Sequence, residues 1–172
     1  MNPSLIYVGL GWDVLPGTIY DLDASIISFD RNINVLEIIY HKNLKSKDGT
    51  IIHYGDNKTG LGEGDDEILS VNLANMDQNI NTMAVIVNSF KGNNMKGLKS
   101  AFIRLYEQNK LIGCDVLGNG SEITGLLLRL FRKDFANNQW IFQVMISPLP
   151  GKEASDSVQS LKEILDKYKM PT

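Results

Sequence analysis

Short apolar runs rich in Val, Ile, Tyr and Phe recur along the chain, each bounded by Asn, Asp or Gly. That spacing restricts the fold more than any other feature, because runs of this length and composition suit strands of a sandwich or barrel. The pattern predicts strands at about 4–12, 24–29, 35–40, 68–73, 82–90, 100–107, 110–117, 123–132 and 139–147. Asn32, Asn93-Asn94, Asn109, Gly118-Asn119-Gly120 and Asn137-Asn138 fall between the runs. Asn and Gly tolerate left-handed backbone, which suits hairpin ends. Ile123 to Phe131 fits a strand or a buried helix by length alone. The alternating Trp140, Phe142, Val144 and Ile146 that follow favour a hairpin, and so a strand.

One segment reads as helix. Val158, Leu161, Ile164, Leu165 and Tyr168 follow helical spacing. Ser155 suits the N-cap and Asp156 the first turn, Lys167 and Lys169 load the C-terminus, and Pro171 ends it. This helix is expected to pack on a sheet edge or face.

With 172 residues and 43% hydrophobic content, a single domain over 1–172 with a substantial core is expected. The net charge of −3 and absence of a long Lys/Arg cluster argue against nucleic acid as a partner. A lone Cys114 cannot form an internal disulfide and is expected to be a small buried hydrophobe. No apolar run reaches the roughly 18 residues of a membrane span, and the start lacks signal-peptide character. Cytoplasmic placement without direct membrane insertion is the expectation.

The stretch from His41 to Glu67 has no strand pattern, and a loop that long is usually functional or disordered. Within it, Gly60, Gly62 and Gly64 alternate and lead into Asp65-Asp66-Glu67. A direct phosphate cradle fits poorly, since adjacent carboxylates repel phosphate. The segment alone leaves two readings open, a solvated acidic turn and a calcium loop. Ca²⁺ takes six to eight oxygens, and glycines let carbonyls turn inward. No EF-hand spacing is present. Asp21 and Asp23 lie two apart before a strand and project to one side of an extended chain. His41 and His53 are expected on the surface or in turns, without a catalytic role. No nucleophile-elbow motif or triad pattern appears, so no enzymatic activity is expected.

Taken in order, the motifs are familiar. They are Gly9-Leu10-Gly11-Trp12-Asp13, Asp21-Leu22-Asp23-Ala24-Ser25, Asn43 to Gly49, Gly55 to Glu67, and Leu98 to Arg104. Together they resemble the tellurium-resistance TerD family of stress proteins over nearly the whole chain. The resemblance implies a mainly β fold, a sandwich of two sheets with peripheral helices including the C-terminal one. It implies Ca²⁺ as cofactor and a non-enzymatic role in tolerance to tellurite and chemical stress. Nucleotide (cAMP-type) binding is the alternative, and a metal-dependent hydrolase built on Asp65, Asp66 and Glu67 a remote one. The metal candidates carried over by motif are Asp21, Asp23, Asp56, Asn57, Asp65, Asp66 and Glu67 through side chains. Thr59, Gly62 and Gly64 are carried over through carbonyls. Trp12, inside a shared motif, is expected to pack in the core beside the metal loops. Ile19 replaces a family Asp, and the family's N-terminal Ser-Leu-x-Lys-Gly segment is missing. That absence suggests an exposed sheet edge open to self-association, alongside contacts with other stress-resistance proteins.

Overall fold

The computed structural model describes residues 5–92, 94–117, 124–134 and 136–168. Ten strands are placed: β1 (Leu5–Val14), β2 (Leu22–Phe29), β3 (Val35–Ile39), β4 (Ile51–His53), β5 (Glu67–Asn72), β6 (Thr82–Ser89), β7 (Leu98–Glu107), β8 (Lys110–Val116), β9 (Gly125–Asp134) and β10 (Gln139–Leu149). A helix, α1 (Val158–Lys167), follows. The strands form two five-stranded sheets, in the orders β4-β5-β1-β7-β8 and β10-β9-β6-β2-β3. Every ladder is antiparallel. The short runs left a sandwich or a barrel open, and this is the two-sheet β architecture that the family resemblance implied.

Alternation along β1 sets the layers. Ile6, Val8, Leu10 and Trp12 point into the core between the sheets. β2 and β6 are buried at every position, and α1 supplies the reason. Ile27, Phe29, Ala84, Ile86, Leu127 and Leu130 on the outer face of their sheet form a second core with Leu161 and Leu165 of the helix. A sheet covered on both faces needs near-continuous apolar strands rather than alternating ones.

The ambiguous segment is a strand, β9, and the expected helix packs on a sheet face. Its start differs from the expectation. Ser155 lies within a short 3-10 turn, Ala154–Ser157, whose cap position is Glu153, and Ser157 takes the N-cap position of α1 itself. The Asp156 carboxylate accepts the N–H groups of Lys152 (2.9 Å) and Glu153 (3.1 Å). A carboxylate captures two free amides where the Ser155 hydroxyl would take one. At the other end the Arg132 guanidinium donates to the Tyr168 carbonyl, satisfying a helix-terminal acceptor. Tyr168 itself is exposed rather than packed.

Two further expectations fail. β4 lies inside the stretch read as free of strand. It is only three residues long, too short for a periodicity signal, and pairing with β5 sustains it. Cys114 is exposed, because β8 is an edge strand and this residue lies opposite Arg104, away from the core. β1 sits between β5 and β7, so the open sheet edges fall to β4, β8, β3 and β10. Ile123, Gly118-Asn119-Gly120, Asn93, Lys169 and Pro171 lie outside the described residues.

Candidate metal centre

One end of the sandwich gathers the C-terminal ends of β1, β4 and β6 with the starts of β2, β5 and β7. Asp21 immediately precedes β2, and Asp23 is its second residue. Pairing of Leu22 with Ser89 and Asp23 with Asn88 fixes them there. The Phe90 N–H donates to the Asp21 carbonyl at 2.9 Å. Across from them the 54–66 loop delivers Asp56. Each of Asp21, Asp23 and Asp56 offers a carboxylate oxygen, all within 4.8 Å of one another. Asp21 and Asp23 are only 7% and 4% exposed. Asp21 Oδ1 and Asp23 Oδ2 are buried without a hydrogen-bond partner. Orphaned buried carboxylate oxygens are costly.

The other motif residues have different partners. Glu67 opens β5 and is fully buried; its carboxylate accepts from the Ala24 N–H (2.8 Å) and the Asn57 N–H (3.3 Å). Asn57 Oδ1 caps the loop by accepting from the N–H groups of Thr59 (3.0 Å) and Gly60 (3.1 Å). Its amide donates to Asp66 Oδ1 at 3.1 Å, while Asp66 Oδ2 accepts the Trp12 N–H at 2.9 Å. Asp65 turns to the outer face of the first sheet. There Arg104 Nε and Nη2 both reach its Oδ1 at 2.8 Å.

The glycines of β1 permit this overlay. A side chain at Gly9 would collide with the Asp65 carboxylate, and one at Gly11 with the Gly64 carbonyl. Gly60, at φ +62°, lies flat against the Trp12 indole, whose Nε1–H donates to the Tyr20 carbonyl at 3.2 Å. Trp12 is therefore a core residue beside the loop, as its motif suggested. Gly62 also has positive φ, and its Cβ position is 3.9 Å from Asp66 Oδ1. Asp21, Asp23 and Asp56 are thus brought together. Asn57, Thr59, Asp66 and Glu67 build the loop behind them, and Asp65 anchors it to the sheet.

His41 lies in a turn as expected, but His53 does not: it is a buried strand residue. His53 lies on β4 and is 2% exposed; its Nε2 is 3.5 Å from Glu67 Oε2 and its Nδ1 accepts the Gly55 N–H. His41 is half-buried, with Nδ1 2.8 Å from Asp23 Oδ1, although neither contact is aligned as a hydrogen bond. Their positions follow from β4 and from the turn after β3. A recognised strand at Ile51–His53 would have revealed His53 by alternation.

Electrostatics mark the same centre. Burial, then Glu67, Asp21 and Asp56, push the Asp23 carboxyl up to about 8. Burial, then Asp56, raises Asp21. Burial raises Glu67 despite its His53 and Ala24 partners. Crowded carboxylates resist ionisation together unless a positive charge joins them. The converging trio offers oxygen only, the donor type of a hard divalent cation.

Arg104 is expected to matter through Asp65. Arg104→Met leaves a largely buried carboxylate unpaired and should lower stability by about 1–3 kcal/mol. Chemical denaturation of the variant beside Asp65→Asn/Arg104→Met checks this. The double variant should recover part of the loss, since it removes the stranded charge.

The comparisons agree with this architecture. A family model described as the TerD domain matches residues 2–151. The tellurium resistance protein TerZ of Serratia marcescens is 32% identical over 166 residues, covering 89% of this chain and 84% of that protein. General stress protein 16U of Bacillus subtilis (strain 168) is 31% identical over 166 residues, covering 87% and 84%. Among solved structures, a homologue of the telluride resistance protein TerD, SCO6318 from Streptomyces coelicolor A3(2), superposes with a TM-score of 0.77 at 18% identity, covering 86% of this chain and 91% of that one. A protein of unknown function, SAV2460, gives 0.79 at 22% identity, covering 92% and 98%. With its motifs, its two-sheet fold and these relatives in agreement, the chain belongs to the TerD domain family, whose members here include tellurium-resistance and stress proteins.

Proposed function

We propose that this chain is a non-enzymatic calcium-binding module of a stress response, with the cation held by Asp21, Asp23 and Asp56. The observation that carries this reading is the pair of buried, unpartnered carboxylate oxygens, Asp21 Oδ1 and Asp23 Oδ2, aimed into a group with Asp56. A divalent cation would satisfy both oxygens and offset the repulsion among the acids. It would also tie the 54–66 loop to β2 through Asp56. The stress role rests on the relatives named for tellurium resistance and general stress.

The test is thermal melting in EDTA, then across a Ca²⁺ series, with Mg²⁺ in parallel. Calcium at a hundred times its dissociation constant should stabilise the fold by about 2.7 kcal/mol. That is several degrees for a chain of this size. Mg²⁺, which sheds water reluctantly and demands octahedral geometry, should give a smaller rise. No rise at millimolar Ca²⁺ would overturn the reading.

A further inference from the structure

An open strand edge invites pairing with another chain, and three of the four edges here are guarded. At β4 the free side is taken by residues 44–46. Lys45 bridges Ile52 there, and the His53 N–H donates to the Leu44 carbonyl at 2.8 Å. β3 carries Glu37, whose carboxylate accepts the Lys47 N–H, and the Asn43 amide donates to the Ile38 carbonyl. β8 carries Lys110 and Asp115, and its register with β7 slips between Leu105 and Tyr106. Asp115 stands opposite the core residue Ile103, an inward-facing charge at an edge. Charges and bulges of this kind discourage a further strand.

β10 lacks such a charge. Its eleven residues include no Asp, Glu, Lys or Arg, and among the described residues β9 alone pairs with it. The ladder with β9 is unbroken from Gln139 to Val144. The bulge between Val144 and Ser147, with Pro148 beyond it, confines regular pairing to that stretch. Within it, Gln139-Trp140-Ile141-Phe142-Gln143 is a palindrome of residue types: amide, aromatic, aliphatic, aromatic, amide. A strand met by an identical copy across a two-fold axis pairs residue i with j and j with i. An axis at Ile141 sets Ile141 against Ile141, Trp140 against Phe142 and Gln139 against Gln143, so like meets like at every position. Ile141 is 40% exposed and free to make that contact. Phe142 already meets Phe131 of β9 edge-on at 4.9 Å, and the partner's Trp140 would lengthen that aromatic row. A foreign strand has no use for this symmetry, which singles out a second copy as the occupant.

We propose that β10 pairs antiparallel with β10 of a second copy of this chain about Ile141, joining two five-stranded sheets into one of ten. The backbone N–H and C=O groups of Gln139–Gln143 that face away from β9 form the new ladder. This segment lies far from the acidic centre along its sheet. Residues 139–143 stand beside 130–134 of β9, which border the start of β6, whereas Asp23 pairs with Asn88 near the end of β6. Both acidic centres therefore stay open in the pair, and the inference is independent of the calcium reading. Five residues a side is far short of the roughly 20–30 of a stable interface, so the dimer is weak and forms at high concentration.

Sedimentation equilibrium from about 10 μM to about 1 mM should show a reversible monomer–dimer balance. Gln139→Lys/Gln143→Lys sets lysine against lysine twice and should weaken association about tenfold, as should Gln139→Glu/Gln143→Glu. Mixing the two variants should restore the dimer, because each lysine then meets a glutamate. Cross-linking reads the register directly, in a Cys114→Ser background that removes the exposed native thiol. Across the axis the two Ile141 Cα atoms would stand about 4.5–5.5 Å apart, within disulfide reach, so Ile141→Cys should give a covalent dimer on oxidation. Val144→Cys, about 20 Å from its counterpart in this register, should not. Melting curves report the fold of each variant, and the two cysteine variants decide the matter if a charged one fails to fold. A chain that stays monomeric at the highest concentration overturns the proposal. So does a dimer indifferent to the paired lysines, a mixture that fails to reassociate, or cross-linking at 144 that equals that at 141.

Discussion

Asp23→Asn should melt above the unsubstituted protein in EDTA and below it in saturating Ca²⁺. The reversal follows from what Asp23 faces. It is buried, lies close to Asp21, Asp56 and Glu67, and has one oxygen with no partner. Without a cation, burying and crowding that charge is a cost, and a neutral amide of the same shape escapes it. The gain is on the order of 2 kcal/mol, several degrees at the midpoint. With calcium the same carboxylate becomes a ligand, and its loss removes most of the stabilisation that binding supplies. Paired melts of both proteins, with and without Ca²⁺, measure both signs. A variant that is less stable in both conditions would mean that Asp23 serves the fold rather than a cation.

The second large effect is expected at Trp12. Its indole is 2% exposed, packs in the inter-sheet core, carries Gly60 on its face and donates to the Tyr20 carbonyl. Trp12→Ala should cost about 3–5 kcal/mol. It should also weaken calcium binding, because the loop bearing Asp56 loses the surface it lies on. Trp12→Phe keeps an aromatic ring but loses the Nε1–H bond and part of the indole volume, so a smaller loss of about 1–3 kcal/mol is expected. Urea unfolding in EDTA gives the stability terms, and calcium titration of the folded variants gives the coupling. If Trp12→Ala binds calcium with unchanged affinity, the loop does not depend on its packing.

The motif residues illustrate how composition and geometry divide the information. An acidic, glycine-rich segment announced that something charged was being arranged. It could not say which acid does what, since Asp65 and Asp66 are adjacent and chemically identical. Alternation sends one to Arg104 on the outer face and the other to the Trp12 and Asn57 donors. Gly9 and Gly11 belong to a shared motif, but the atoms they make room for, on Gly64, Asp65 and the Phe102 ring, lie more than fifty residues away in sequence. His41 and His53 had no local signal at all. His53 reaches Glu67 from a three-residue strand too short to show a period, and His41 reaches Asp23 from the turn after β3.

Cys114 and Ser155 show the other limit. A lone cysteine is usually buried, and a serine ahead of an amphipathic run usually caps it. Edge placement of β8 exposed the first, and Asp156, with a charged side chain and two amides in reach, displaced the second.

By itself the sequence determined the strand-rich architecture, the C-terminal helix and the loops that carry the acids, because period and turn residues are local physics; the two-sheet sandwich was implied by the family resemblance. Only the tertiary structure decided that Asp21, Asp23 and Asp56 converge while Asp65 and Asp66 turn to other partners. Coordination depends on distances between elements remote in sequence, and those distances are fixed by sheet order and by packing, which no local pattern encodes.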